Sequence, residues 1–150
     1  MDPGAIRLAA IALLARRDFA TGELREKLRS QGYDTSVVEE TVAELSEEGM
    51  LNDVRYAEHF VAYHAQRGHG PVRIKSDLKA MGLSGDLLEN ALASGPDWSV
   101  LAREVRIRRF GEEAPETWAE KSRQARFLQY RGFSTDHIRT ALGPDFNLDP

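Results

Sequence analysis

The sequence contains no cysteine. Disulfide bonds and thiolate-bound zinc sites are therefore excluded. Long apolar segments are absent too, because the most apolar stretch ends at Arg16 and is shorter than the roughly 20 residues that span a membrane. The start of the chain does not have the pattern of a signal peptide, since Asp2 comes early and no cationic segment precedes the apolar part. These absences predict a soluble cytoplasmic protein.

Residue patterns typical of enzymes are also missing. His59, His64 and His69 follow one another at intervals of five residues, which does not place them on one helical face around a metal ion. The glycine-rich segment 67–71 is not followed by the Lys-Ser/Thr pair of a phosphate-binding loop. Carboxylates lie along helix faces without a partner that would tune them for catalysis. The sequence therefore predicts no enzyme, no catalytic residue, no metal site and no cofactor.

What the sequence does contain is a segment that recurs with a period of fifty residues. Six positions keep their chemical type in three copies. They are Leu28, Gly32, Tyr33, Asp34, Val38 and Val42, then Leu78, Gly82, Leu83, Ser84, Leu88 and Leu92, then Leu128, Gly132, Phe133, Ser134, Ile138 and Leu142. A fixed period of this length is typical of repeat architectures. Chance similarity between helical connections is the alternative, and the number of matching positions argues against it.

The recurring segment has the chemistry of a turn between two helices. Each glycine is expected just after a helix, where the left-handed backbone suits glycine. The apolar residue after it should be buried against the leucine of the preceding helix and an apolar residue of the next helix. The polar residue that follows should cap the next helix. The apolar residues are Tyr33, Leu83 and Phe133, and the polar residues are Asp34, Ser84 and Ser134.

Helical periodicity runs through the chain, and no sustained strand-like alternation is present. Each repeat is expected to contain a leading helix, then a middle and a final helix joined by the glycine turn. The predicted helices are 4–16, 21–31 and 35–48, then 53–67, 71–81 and 85–93, then 97–110, 116–131 and 135–142. The sequence therefore predicts an all-α fold of three tandem three-helix repeats, elongated and curved. The predicted repeats occupy residues 1–50, 51–95 and 96–150, the last with a short tail.

Charge is sorted by helix position, although the whole chain has a net charge of −4. The middle helices are net basic in all three repeats, and the third carries four basic residues. The final helices are acidic in the first two repeats, with five glutamates in the first. Stacked repeats would therefore present a basic strip beside an acidic flank. The alternative is that these are ordinary solvated faces with some ion pairs between neighbouring residues.

The two helices joined by a glycine turn in each repeat also resemble the motif of helix-turn-helix DNA-binding proteins. In that motif the second helix enters the major groove and contacts the bases. Here the second helix is acidic in the first two repeats, so the DNA phosphates would repel it. Only the third repeat is marginally suited to this role.

Four segments of the chain form a more specific pattern. They are Arg16-Arg17-Asp18-Phe19 with Glu23-Leu24 and Lys27-Leu28; Leu51-Asn52-Asp53 with Arg55-Tyr56-Ala57; Gly70-Pro71 with Arg73-Ile74 and Leu78; and Arg131-Gly132-Phe133-Ser134 with Ile138. From about Ala5 to Leu142, the chain resembles the RecX family, the bacterial regulators of the RecA recombinase. The resemblance implies tandem three-helix repeats, no catalysis, and binding in the groove of the RecA filament on single-stranded DNA. A RecX-like monomer there modulates, and mainly inhibits, the strand exchange, ATPase and coprotease activities that serve recombination, DNA repair and the SOS response.

Together, the resemblance and the basic middle helices predict the residues that contact the filament or its DNA. The candidates are Arg16 and Arg17 at the first junction, and Arg25, Arg73, Lys75, Arg126 and Arg131 on the middle helices. Two other functions remain as alternatives: a helix-turn-helix-like DNA-binding protein that uses its third repeat, and a helical scaffold for another protein.

Overall fold

The computed structural model describes residues 3–143, which form nine α-helices and no strand. The helices are α1 (Pro3–Arg16), α2 (Thr21–Ser30), α3 (Thr35–Glu47), α4 (Asp53–Gln66), α5 (Pro71–Ala80), α6 (Gly85–Ala93), α7 (Trp98–Phe110), α8 (Trp118–Tyr130) and α9 (Thr135–Leu142). Each consecutive set of three is called a module below, so α1–α3 form module 1. The all-α class and the three three-helix repeats are thereby confirmed. The tail expected after Gly143 lies outside the described residues.

The bounds of α6 and α9 agree with the predicted ones, and the other helices differ by one or two residues, because the sequence pattern does not separate a capping residue from the helix that it caps. Asp97 caps α7 by accepting from the amides of Ser99 and Val100 at 3.0 and 3.2 Å, so α7 begins at Trp98. Thr117 caps α8 in the same way, and its hydroxyl oxygen accepts from the Glu120 amide at 3.1 Å. Residue 116, the predicted start of this helix, lies outside it.

Each module has a separate hydrophobic core, and the main helix contacts are within modules. Leu24, Leu28 and Leu45 are fully buried in module 1, and Ile74 is fully buried in module 2. Full burial of one such side chain stabilises the fold by about 1.5–3 kcal/mol. The connection before α2 breaks this separation, because the buried Ala20 belongs to the core of module 2. Module 1 is thus anchored to its neighbour through the start of its middle helix.

The three glycine turns have the predicted conformation. The φ angles of Gly32, Gly82 and Gly132 are +95°, +89° and +99°. In each turn the glycine amide donates to the carbonyl three residues earlier, and the next amide donates to the carbonyl of the predicted leucine, at distances between 2.9 and 3.3 Å. This pair of bonds satisfies carbonyls that the end of a helix leaves without an intrahelical partner.

The expected burial after each glycine is confirmed at two of three positions. Leu83 and Phe133 are 5% and 3% exposed, and each lies in a core cluster with the predicted leucine and the apolar residue of the next helix. Tyr33 packs as expected against the core that contains Leu28 and Val38, but it is half-buried and therefore less enclosed than Leu83 and Phe133.

The expected side-chain caps after the turns are confirmed only for Ser134, whose hydroxyl accepts from the His137 amide at 3.3 Å. Asp34 makes no capping hydrogen bond, because its carboxylate accepts from the Ser36 hydroxyl at 2.8 Å instead. Ser84 also makes none. The first helical residue after it, Gly85, has a φ of +66°, so the first turn lacks the helical geometry that brings an amide to the hydroxyl.

The modules are joined by a recurring contact, in which the start of one middle helix meets the glycine turn of the next module. At the second junction, the amides of Gly70 and Val72 donate to the carbonyls of Arg131 and Gly132 at 2.8 and 2.9 Å. The free amides at the start of α5 thereby meet free carbonyls at the end of α8. At the first junction, a Cβ atom on Gly22 would lie 3.0 Å from the carbonyl oxygen of Met81. The same pair of surfaces therefore meets twice along the chain.

Candidate functional site

In module 1, the basic middle helix is largely neutralised by its acidic neighbour. The Nε atom of Arg25 lies 2.6 Å from a carboxylate oxygen of Glu39. Arg29 pairs with Glu26 at 3.0 Å and approaches the same Glu39 at 3.6 Å. Exposed pairs of this kind contribute about 0–1 kcal/mol to stability, but they do satisfy the cations. Arg25 is therefore less available to a partner than the sequence indicated.

In module 2, the two predicted cations differ from each other. The Lys75 ammonium lies 2.9 Å from Glu89 of α6, so it too is paired across the helix pair. Arg73 is exposed and forms no ion pair with any residue that the structure describes. Its Cβ atom faces Gly132 of the next module. Arg73 thus places an unpaired charge beside the second junction.

Module 3 carries the most unpaired positive charge. Arg126 is exposed and has no ion pair among residues 3–143. Arg131 is half-buried, its guanidinium donates to the Arg67 carbonyl at 3.4 Å, and it lies 5.1 Å from the centre of the Phe127 ring. Among the described basic residues of α8, Arg123 alone pairs with an acid, Glu120, at 3.0 Å. The number of middle-helix basic residues without an ion pair among the described residues therefore rises from module 1 to module 3.

At the first junction the structure brings Arg16 and Arg17 together with Lys27, around an opening of about 310 Å³. Arg17 lies 3.7 Å above the ring of Phe19 and also pairs with Glu23 at 3.2 Å. Arg16 is exposed and forms no ion pair within the described part of the chain. This cluster therefore offers one free and one partly satisfied arginine.

At the second junction four arginines converge: Arg67, Arg108, Arg109 and Arg131. They line a pocket of about 200 Å³ together with Phe127, Val105 and Gly68. None of these lining residues is acidic. Sequence reasoning found only Arg131 among the four. The fifty-residue period could have indicated Arg67, which is the counterpart of Arg17 at the end of the leading helix. This group is called the arginine pocket below.

Two histidines contact each other beside the arginine pocket, although neither residue alone indicates a site in the sequence. The Nδ1 atoms of His64 and His69 lie 2.9 Å apart, and the rings are stacked at 5.1 Å. Burial, helped by Arg73, lowers the pKa of His69; burial also lowers the pKa of His64, with Arg73 and Arg67 adding and Asp77 opposing. One neutral ring therefore donates to the other. No group of three potential metal ligands occurs among the described residues.

One further arginine has a structural role. Arg106 is 3% exposed in module 3, and burial lowers its pKa. Its guanidinium donates to the Glu113 carbonyl at 3.3 Å and to the Gln124 side chain at 3.4 Å. These bonds hold the connection after α7 against α8. Arg106 is thereby occupied inside the protein, unlike the arginines of the pocket.

Comparison with known proteins identifies the family. Sequence models of the first, second and third three-helix domains of RecX match residues 7–45, 52–92 and 100–142. The chain belongs to the RecX family. It is 44% identical to the regulatory protein RecX of Halorhodospira halophila over 91% of this chain and 86% of that protein. It is 42% identical to the regulatory protein RecX of Ectopseudomonas mendocina, over 94% and 95% of the two chains.

The crystal structure of RecX from Lactobacillus salivarius has the same fold, with a TM-score of 0.80, 23% identity and 93% of each chain covered. The resemblance of the sequence to RecX is thus confirmed by both sequence and fold. The RecX relatives are named regulatory proteins, which fits the scarcity of enzyme-like patterns in this chain. Among residues 3–143, no helix has the length and apolarity needed to cross a membrane.

Proposed function

We propose that this protein regulates RecA by binding the RecA filament on single-stranded DNA. Binding mainly inhibits strand exchange, together with the ATPase and coprotease activities of the filament. The protein acts as a cytoplasmic monomer and without catalysis of its own. Membership of a family of regulatory proteins supports this proposal, and so does the series of unpaired cations from the first junction to module 3.

Within this proposal, the seven predicted contact residues divide into two groups. Arg16, Arg73, Arg126 and Arg131 have no carboxylate partner among the described residues and form the principal contacts. Arg17, Arg25 and Lys75 are ion-paired and contribute less. Breaking an existing ion pair offsets part of what a new contact would contribute. The divisions at residues 1–50, 51–95 and 96–150 are proposed as the units that meet successive parts of the filament groove.

The decisive experiment compares unpaired with paired cations at equal loss of charge. The test variant combines Arg73→Gln with Arg126→Gln, and the matched control combines Arg25→Gln with Lys75→Gln. Inhibition of RecA-catalysed strand exchange is titrated, and each variant is first checked for folding by circular dichroism. We expect the test variant to need about tenfold more protein for half-inhibition, with a weaker dependence on salt. The control should stay within about twofold of the parent.

Two results would count against this account. Equal inhibition by parent, test and control variants would remove the unpaired cations from the interface but leave RecA regulation intact. A parent protein without effect on strand exchange at stoichiometric excess would refute the function itself. Sequence-specific binding to duplex DNA through module 3 would then become the function to examine.

A further inference from the structure

The positive charges of the arginine pocket are not neutralised by any described residue of the protein. Four guanidinium groups face a space of about 200 Å³, and no carboxylate lines it. None of these four arginines forms an ion pair with any described residue. By contrast, Arg25 of α2 and Lys75 of α5 are matched by acids on the neighbouring helix. Like charges gathered around one pocket repel each other, and a bound anion would offset that repulsion.

The arginine lining of the pocket favours a phosphate as that anion. The planar guanidinium fork of arginine matches the oxygens of phosphate in a bidentate manner. Two of the four side chains are already held in place, because Arg67 donates to the Tyr63 hydroxyl at 3.1 Å and Arg131 donates to the Arg67 carbonyl at 3.4 Å. These bonds reduce the conformational entropy that ligand binding would otherwise cost.

The pocket also offers surfaces on which a planar group can stack. The guanidinium groups of Arg109 and Arg131 lie 5.5 and 5.1 Å from the centre of the Phe127 ring. The Phe110 ring meets Phe127 edge to face at 5.3 Å. Bases of nucleic acids stack on aromatic rings and on arginine planes. The volume of about 200 Å³ is below the roughly 300–1,000 Å³ of sites that enclose a whole small-molecule ligand, so the pocket would hold the phosphate and leave part of a nucleotide exposed to solvent.

We propose that the arginine pocket binds one nucleotide unit, with its phosphate between the guanidinium groups and its base against the Arg109, Arg131 and Phe127 side chains. This chemistry has two sources, a free nucleotide or one unit of a single strand. The inference goes beyond the filament proposal, because it requires no recombinase. It also involves Arg67, Arg108 and Arg109, which the predicted basic strip does not include.

The test uses the full chain in the absence of RecA. Binding of fluorescein-labelled dT15 is measured by fluorescence anisotropy between 50 and 300 mM salt. The test variant combines Arg108→Ala with Arg109→Ala. The matched control combines Arg103→Ala with Lys121→Ala, which removes the same unpaired charge from module 3 outside the lining of the pocket. We expect the test variant to bind about tenfold more weakly, with a salt slope smaller by about 0.7 for each phosphate that the pocket no longer neutralises. The control should stay within about twofold of the parent.

Competition experiments identify the ligand. Unlabelled dTMP that displaces dT15 would identify a free nucleotide as a ligand of the pocket. Binding of dT15 that dTMP leaves unchanged would assign the site to the strand. A strand of abasic deoxyribose phosphates should bind about tenfold more weakly than dT15, because it has no bases to stack.

Three results would overturn the inference: equal weakening in test and control variants, absence of dT15 and dTMP binding by the parent, or competition by poly-L-glutamate as effective as that by dT15 itself. The first would indicate general electrostatics, and the last would indicate an acidic protein as the ligand. Failure of the parent to inhibit strand exchange would leave this inference untouched, since neither assay contains RecA.

Discussion

The second junction can be tested by a single methyl group, through Gly132→Ala. Gly32, Gly82 and Gly132 occupy the same turn with φ angles of +95°, +89° and +99°. Replacement by alanine therefore introduces similar left-handed backbone strain at all three. Their surroundings differ, because a Cβ atom on Gly32 or Gly82 meets nothing within 4 Å. On Gly132 it would overlap the Cβ atom of Arg73 and lie 2.9 Å from the Arg73 amide nitrogen. Gly32→Ala and Gly82→Ala are thus matched controls.

The expected magnitudes follow from these surroundings. Left-handed strain should cost about 1–2 kcal/mol of unfolding free energy in each of the three variants. Gly132→Ala adds overpacking, about 1–3 kcal/mol, in a place where the neighbouring atoms are partly backbone. If the modules separate to relieve the clash, the Gly70 and Val72 amides lose their acceptors, at about 0.5–1.5 kcal/mol each. Separation of the modules would relieve part of the steric overlap but would break these hydrogen bonds, so the two costs do not add in full. We therefore expect Gly132→Ala to lower the unfolding free energy by about 3–6 kcal/mol in total.

Urea unfolding should be followed with two signals, far-ultraviolet circular dichroism for all helices and tryptophan fluorescence for module 3 and its junction. Trp98 begins α7 and packs against the core of module 2, and Trp118 begins α8. Gly132→Ala should lower the fluorescence midpoint more than the circular dichroism midpoint, since module 3 separates from its neighbour. If Gly132→Ala is no more destabilising than Gly32→Ala and Gly82→Ala by either signal, the close contact between modules 2 and 3 contributes no stability and the reasoning is refuted.

Two further predictions concern the turn residues and the histidine pair. Phe133→Ala should cost about 3–5 kcal/mol of unfolding free energy because the ring is buried, and Tyr33→Ala should cost clearly less because the ring is half-buried; equal decreases in urea titrations would contradict this. Burial lowers the folded-state pKa of His64 and His69, so the unfolded chain takes up protons first as pH falls. The free energy of unfolding should therefore be highest at pH values above the unfolded-state histidine pKa of about 6.5. It should decrease as the pH falls from there through the folded-state pKa values. A variant with His64→Gln and His69→Gln should lose urea stability less steeply between pH 7.5 and 5, and an unchanged slope would show that the pair does not couple to folding.

The fold could be predicted largely from the sequence, because the information that specifies it is local. A turn glycine, its two apolar contacts and the helical periodicity lie within a few residues of one another, and the period repeats them. The capping error at Asp34 arose because two local hydrogen bonds compete for the same carboxylate. Asp34 has the right chemistry for a cap but accepts from Ser36 instead. Tyr33 packs against the core of module 1 but keeps part of its ring exposed.

The candidate site was less predictable, since charge is neutralised across helices rather than along them. Nothing in the sequence indicates that Glu39 would satisfy Arg25, or that Glu89 would satisfy Lys75, and these pairs separate available from occupied cations. The arginine pocket was missed for a different reason: Arg108 and Arg109 lie on a leading helix, whereas the predicted basic strip was drawn from the middle helices.

The leading helix of module 3 departs from the repeat register. A fifty-residue period places the start of that helix at 103, but α7 begins at Trp98 and is followed by a longer connection, 111–117. Arg108 and Arg109 have no arginine or lysine counterpart at the aligned positions of modules 1 and 2. The repeat therefore specifies the scaffold, whereas the departure from it brings four arginines together at the second junction.

The two junctions can be compared directly. If the repeated scaffold alone were responsible for ligand binding, both junctions would bind single-stranded DNA equally well. The opening between modules 1 and 2 is lined by Glu23 and Glu26 as well as by basic residues, and Arg17 is already paired with Glu23. The arginine pocket has no acidic lining residue. We therefore expect Arg17→Ala with Lys27→Ala, two residues that line the opening between modules 1 and 2, to weaken dT15 binding less than Arg108→Ala with Arg109→Ala in the same anisotropy assay. The reverse order would place the specialised site at the first junction.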